Sequence, residues 1–218
     1  MICMRLSKFI FKLKSFKYAD ALLLNINDNL DLENMFYIPE IQISEILKYK
    51  NDFDRNKRFL ARAFLYSYLK SKYYIDDYTI QINRYGKPFL KKNTRIDFSI
   101  SYSKEYILIA VSDKCKVGVD IEYIDENISH NELKEVIMHD KEIIYYDQLE
   151  TDIDKLNFFL EVFNIKESIV KSIGVGLYMD IKNICTLDLI KSHKSQETLV
   201  LNIFDEIKFD YKTSLKFL

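Results

Sequence analysis

The 218-residue chain is short of cysteine, of glycine and of long apolar runs. Its three cysteines, Cys3, Cys115 and Cys185, are odd in number and share no paired spacing. That argues against a disulfide framework or a Cys/His zinc cluster and fits thiols kept reduced in a cytoplasm. No uninterrupted apolar run approaches the roughly 18 residues that a bilayer span requires, so no membrane association is expected. The opening stretch MICMRLSKFIFKLKSFK is basic, but Lys8 and Lys12 interrupt its apolar part and no small-residue cleavage site follows. It reads as a basic extension over residues 1–17, not as a signal peptide. Charge is also nearly absent in net terms, at −1 from 32 basic and 33 acidic residues. A binder of nucleic acid driven by phosphate neutralisation is therefore unsupported, while a small anionic ligand could still meet a local basic site.

Because glycine is used where backbone must turn sharply or be approached closely, its scarcity makes each position informative. The four glycines, Gly86, Gly118, Gly174 and Gly176, fall in three short stretches: RYGKPFL, KVGVDIEYI and VFNIKESIVKSIGVGL. No repeat, low-complexity tract or Pro/Gly/Ser-rich linker marks a domain boundary.

What is present is a chain 48% hydrophobic, enough for a sizeable core. DRNKRFLARAFLYSYLKSKYY places Leu60, Ala61, Phe64, Leu65, Tyr68 and Leu69 at helical spacing, with Arg55, Arg58 and Arg62 along one side. Residues Ile96 to Ile124 hold three strand-like runs joined by connections too short to cross a sheet, which predicts mutually antiparallel strands. In the last run Val117, Val119 and Ile121 share one face, and Gly118, Asp120 and Glu122 the other. Leu156 to Ile173 predicts a largely buried helix ended by the GVG that follows, with Glu167 on the same line as Leu156, Phe159, Leu160, Phe163 and Val170.

Asp120 and Glu122, two apart on a strand, have Cα atoms about 7 Å apart and project the same way, close enough to reach one cation. A third carboxylate, Glu167, converging from the buried helix would complete an oxygen donor set suited to Mg²⁺. Each element has an ordinary alternative. A D-x-E pair on a strand is commonly a solvated face, and Glu167 with Lys171 at i, i+4 is also the pattern of a simple surface ion pair.

Taken in order, these stretches resemble the 4′-phosphopantetheinyl transferases of the surfactin-synthetase-activating type. That family carries G-(V/I)-D-x-E and then W-x-x-K-E-x-x-x-K-x-x-G-x-G. Here GVDIE stands at Gly118–Glu122, and FNIKESIVKSIGVG at Phe163–Gly176 keeps every charged position and both glycines. Upstream, YGKPFL, FSISYS and RFLARAFL resemble the family's G-K-P segment, its S-H-S strand and its Arg-bearing helix. The resemblance covers roughly Asp54 to Leu177. Two positions depart from it: the family's His is Tyr102, which brings no positive charge at neutral pH, and its Trp is Phe163, which lacks the indole donor.

The resemblance implies an α+β fold of two similar lobes, each an antiparallel sheet packed with a long helix, with coenzyme A in the cleft between them. The division expected is an N-terminal lobe over 18–112 and a C-terminal lobe over 113–218. It implies Mg²⁺ held by Asp120, Glu122 and Glu167, and catalysis by Glu167 as proton acceptor and Lys171 as stabiliser of the departing adenosine 3′,5′-bisphosphate. Arg58 and Lys87 are the implied contacts to the 3′-phosphate of coenzyme A, with Ser101 and Tyr102 as neutral helpers. The implied partner is an apo acyl or peptidyl carrier protein, met by a basic or apolar patch to which Arg5, Lys8, Lys12, Lys14 and Lys17 could contribute, although the first residues could equally be a disordered extension. A cytoplasmic monomer is the simplest expectation. Lys166 reads as structural, a solvated or snorkelling lysine, and His130, His139 and His193 as non-catalytic. The rival readings are a coenzyme A-binding module that no longer transfers and a Mg²⁺-dependent nuclease, the latter disfavoured by the missing basic stripe.

Overall fold

The computed structural model describes residues 9–32, 38–76, 79–92, 95–191, 199–201, 207 and 210–217. In chain order these form strands β1 (Lys12–Ser15) and β2 (Asp20–Asn25), helices α1 (Glu40–Ile46) and α2 (Asp52–Tyr73), strands β3 (Ile80–Ile82), β4 (Pro88–Leu90), β5 (Asp97–Ser103), β6 (Tyr106–Ser112) and β7 (Val117–Tyr123), helices α3 (His130–Ile137), α4 (Asp140–Asp147), α5 (Asp152–Ile173) and α6 (Leu187–Lys191), and strands β8 (Leu199–Leu201) and β9 (Tyr211–Phe217). The fold is α+β with antiparallel sheets. Among the described residues no helix is long and apolar enough to cross a membrane.

The first sheet runs β1-β2-β6-β5 and the second β7-β9-β8, while β3 and β4 pair as a separate hairpin. Strands β2 and β6 are apolar on both faces, as central strands covered on both sides must be. Leu22, Leu24, Ile107, Ile109 and Val111 pack with Leu60, Phe64, Leu65 and Leu69 of α2. Ala21, Leu23, Leu108 and Ala110 pack instead with Val117, Val119, Ile121 and Leu215 of the second sheet. Each such Leu, fully buried, contributes roughly 2 kcal/mol of transfer free energy. The order of layers is thus α2, first sheet, second sheet, α5.

Both long helices begin at side-chain caps. Asn51 accepts from the Asp54 amide and Thr151 from the Asp154 amide, each satisfying a donor that the first turn leaves open. Helix α5 ends at Gly174 in the left-handed region, so GVG terminates it as the sequence predicts. Helix α2 ends on Tyr74, which takes the same conformation with φ 57° despite its side chain.

One expectation is corrected. Strands β5 and β6 pair antiparallel, from Asp97 opposite Ser112 to Ser103 opposite Tyr106, but β7 leaves them and pairs antiparallel with β9. The reason lies in the polar half of DFSISYS. The Val117 amide donates to the Asp97 carboxylate (2.7 Å), the Val119 amide to Ser99 Oγ (3.2 Å) and the Tyr123 amide to Ser103 Oγ (3.0 Å). The partners are 20 residues apart each time, so β7 lies along β5 in the same direction, joined by side chains where a main-chain ladder would otherwise run.

The basic N-terminal segment is also partly within the fold. Phe9 is buried in the core, and Lys12–Ser15 is the edge strand β1, paired with Asp20–Leu23 of β2. Residues 1–8, with Arg5 and Lys8, lie outside the described residues, as does His193.

Candidate active site

The two motifs meet face to face. Val117, Val119 and Ile121 are buried between the sheets, which turns Gly118, Asp120 and Glu122 toward α5. Gly118 is seated on the helix backbone: a β-carbon there would stand 1.9 Å from the Ser168 carbonyl oxygen and 2.4 Å from the Ser172 nitrogen. This close approach brings the strand carboxylates to the helix turn that carries Glu167 and Lys171.

Asp120 is 1% exposed, and both its oxygens are engaged. Oδ1 accepts from Lys171 Nζ (2.5 Å) and from Ser101 Oγ (2.8 Å), and Oδ2 accepts from Asn164 Nδ2 (3.0 Å). Lys171 Nζ also donates to Ser101 Oγ at 3.0 Å. The helical Glu167–Lys171 spacing therefore does not produce a simple surface pair, because the ammonium reaches across to the strand. Burial alone would discharge Lys171, but Asp120, Glu167 and Glu122 outweigh it and keep the ammonium charged beyond its ordinary range.

Glu122 and Glu167 have no such relief. Burial, then the charge of Asp120, then that of Glu167, push Glu122 up to about 8 despite Lys171. Burial raises Glu167 as well, with Lys171 opposing and Asp120 adding to the rise. A carboxyl shifted toward neutrality in a cleft is suited to exchanging protons near pH 7.

Three carboxylates against one ammonium make a donor set whose charge fits a hard divalent cation. Yet among the described residues no group of three or more His, Cys, Asp or Glu side chains is gathered at metal-ligand geometry. Asp120, Glu122 and Glu167 lie near enough to one another to interact electrostatically.

The remaining candidates separate into two cavities. A cleft of about 530 Å³ is lined by Glu167, Lys171, the Tyr85–Pro88 turn, Ser99, Ile100 and the residues that follow α5. A second cavity of about 510 Å³ holds Arg58 and Tyr102, together with Arg62 and Tyr49. There the Arg58 guanidinium stacks between the rings of Tyr49 (3.8 Å to the centroid) and Tyr102 (4.7 Å). Arg58 Nε and Arg62 Nη1 are buried with no hydrogen-bond partner among the described residues. Burial raises the Tyr102 phenol, with Arg62 and Arg58 opposing, so it stays neutral. Arg55, the third arginine of the helix, turns away to Asp52 and to the carbonyls of Tyr49 and Lys50.

Lys87 lines the cleft, and its ammonium is held by the protein itself. Its Nζ is spent on Asp97 Oδ2 (2.7 Å), the Val117 carbonyl (3.1 Å) and the Ser172 carbonyl (3.2 Å), which uses all three N–H donors inside the protein. Burial lowers its pKa and Asp97 opposes the shift. Lys166 is structural but neither solvated nor snorkelling. It is fully buried, 2.7 Å from Glu142 and 2.7 Å from the Ile137 carbonyl, and so ties α4 and the end of α3 to α5. His130 bonds to Tyr146 and His139 caps α4.

Sequence reasoning missed Asn164, Asp97, Arg62 as a cavity residue and Tyr49. Asn164 had a signal, being a lone amide among apolar residues one turn before Glu167. Asp97 had one too, as the first polar member of an alternating strand.

The fold and site define an α+β protein with an acidic, lysine-bearing cleft beside an arginine-lined cavity, an arrangement suited to phosphate-ester chemistry. Residues 116–216 match the family described as the 4′-phosphopantetheinyl transferase superfamily. A 4′-phosphopantetheinyl transferase of Aneurinibacillus migulanus is 33% identical over 139 residues, 63% of this chain and 56% of that protein. An L-aminoadipate-semialdehyde dehydrogenase-phosphopantetheinyl transferase of Candida glabrata is 29% identical over 112 residues, 45% of this chain and 40% of that protein. A Haemophilus influenzae protein provisionally named a 4′-phosphopantetheinyl transferase is 30% identical over 166 residues, 70% of this chain and 67% of that protein. The chain belongs to this superfamily. The matched stretch spans about half the length of the first two relatives.

Proposed function

We propose that this protein transfers the 4′-phosphopantetheine arm of coenzyme A to a serine of an apo acyl or peptidyl carrier protein, in a Mg²⁺-dependent reaction that releases adenosine 3′,5′-bisphosphate. The observation that carries the reading is the seating of Gly118 on α5, which sets Asp120 and Glu122 of one motif against Glu167 and Lys171 of the other. We read the two halves, divided near residue 112, as two lobes with the site between them, each a sheet backed by its own long helix.

Coenzyme A is long enough to occupy both cavities. Ser99 and Tyr102 of β5 line the cleft and the second cavity respectively, and three strand residues advance about 10 Å. The arginine cavity then takes the 3′-phosphate. Arg58 and Arg62 supply the charge that Tyr102 lacks, and their unpartnered nitrogens find acceptors there. The pyrophosphate lies at the acidic cleft, within reach of Ser101 and Lys171.

Mg²⁺ would be held by Asp120, Glu122 and Glu167, and the chemistry it would supply is neutralisation of charge at the pyrophosphate. Glu167 accepts the proton of the attacking serine hydroxyl, a task its raised pKa favours. Lys171 stabilises the bisphosphate leaving group. Asn164 holds Asp120 in place through Oδ2. A cytoplasmic monomer suffices for this chemistry.

The test is the intact mass of an apo carrier protein incubated with the enzyme, coenzyme A and Mg²⁺. Transfer adds one phosphopantetheine, and Glu167→Gln abolishes the gain. Coenzyme A binding without any gain on fatty-acid or peptide carriers would refute the transferase reading and leave a binding module.

A further inference from the structure

The turn that bears Gly86 interlocks with the glycines that follow α5. Residues Asn83–Lys87 form a tight turn, held by Asn83 Oδ1, which accepts from the amides of Tyr85 and Lys87 at 2.9 Å each. This turn embraces the end of α5. Asn83 Nδ2 donates to the Gly174 carbonyl (2.9 Å) and Lys87 Nζ to the Ser172 carbonyl, so the turn satisfies carbonyls that the last helical turn leaves open. The fit leaves no room for side chains. A β-carbon on Gly174 would be 2.9 Å from Lys87 Cδ, and one on Gly176 would be 2.4 Å from the Tyr85 carbonyl oxygen. Tyr85 and Tyr178 close the contact edge to face at 5.2 Å.

Lys87 is the centre of this clasp. One ammonium, 12% exposed, joins β5 through Asp97, β7 through the Val117 carbonyl and α5 through the Ser172 carbonyl. Asp97 Oδ2 in turn accepts from the Val117 amide, and Oδ1 faces Lys116 at 3.3 Å. Ser172 directly follows Lys171, so whatever fixes its carbonyl fixes the depth at which Lys171 and Glu167 enter the cleft.

We infer that Lys87 is a positioning residue for the proposed transfer, a pin that sets the C-terminal turn of α5 against β5 and β7, and that it does not contact the 3′-phosphate of coenzyme A. The inference rests on the transferase reading for its kinetic part only.

The test uses the full chain, with Lys87→Met removing the pin and Asp97→Asn loosening it while the lysine stays. Dissociation constants are measured for coenzyme A and for coenzyme A lacking its 3′-phosphate, alongside amide hydrogen exchange over residues 170–176. Both variants are expected to speed exchange there by roughly 10-fold, the scale of one lost charged hydrogen bond. Both are expected to lower kcat by roughly 10-fold with KM for coenzyme A within about 2-fold, as for a displaced catalytic group. The affinity ratio of the two ligands stays as in the wild type. A ratio that collapses by about 10-fold or more in Lys87→Met alone, with exchange unchanged, marks a phosphate contact and overturns the inference. If the wild type transfers nothing, the proposed function falls, while the exchange and affinity comparisons still decide the role of Lys87.

Discussion

Gly118 of β7 lies so close to Ser168 of α5 that strand and helix touch through backbone alone. A methyl group has nowhere to go, because both obstructing atoms belong to the helix main chain. Gly118→Ala is expected to destabilise the protein by about 3 kcal/mol, at the upper end of overpacking costs. Urea denaturation measures it, and a loss within a few tenths of a kcal/mol would show that the strand can lift away freely.

The pairing of Lys171 with Asp120 gives a second expectation. Lys171→Met leaves a carboxylate that is 1% exposed with no ammonium beside it, a loss of about 3–5 kcal/mol for a broken buried pair. Lys171→Met combined with Asp120→Asn is expected to recover much of that stability but no activity. Equal stability of the single and double variants in denaturant would contradict the pairing.

Acid-base behaviour follows from Glu122 and Glu167. Both pKa values are raised on folding, that of Glu122 from the ordinary 4.5 up to about 8, so above 4.5 the folded chain holds protons that the unfolded chain has released. Stability from these groups is therefore fullest below the ordinary carboxyl value and declines as pH rises through that window. Denaturation in the presence of a chelator should show this decline from pH 5 to 8.5, and Glu122→Gln should flatten it. Added Mg²⁺ should stabilise more at pH 8 than at pH 5.

Tyr74 offers a stabilising change. It holds a left-handed conformation at the end of α2 while 87% exposed, so among the described residues little packs against the ring to offset the strain. Tyr74→Gly is expected to add about 0.5–1 kcal/mol, seen as a thermal midpoint higher by a few degrees. A lower midpoint would mean that the ring is held by something that its exposure does not suggest.

The sequence announced its helices better than its sheets. Helix α5 could be placed because its apolar residues recur along one line and GVG stops it, and the faces of β7 followed from strict alternation. The partner of β7 could not be read, since pairing with β9 joins residues almost a hundred positions apart while the short 113–116 connection favoured β6. In the site, Glu167 and Lys171 were conspicuous as charges in a buried helix. The role of Lys87 was not, because a lysine in a turn looks the same in sequence whether its ammonium faces a phosphate or an inward-turned Asp97. Arg58 and Tyr102 likewise line a different cavity from Glu167, one bordered by β3 and the other by the start of β4, a division that no local pattern encodes.

The join between β5 and β7 has an evolutionary consequence. A main-chain ladder bonds alike whatever its sequence, so point mutation can hardly adjust it. Here Asp97, Ser99 and Ser103 hold the neighbouring strand by their side chains, and each is replaceable one codon at a time. The grip of β5 on β7 is thereby a heritable, gradable trait, open to selection for a looser or tighter join without redrawing the fold.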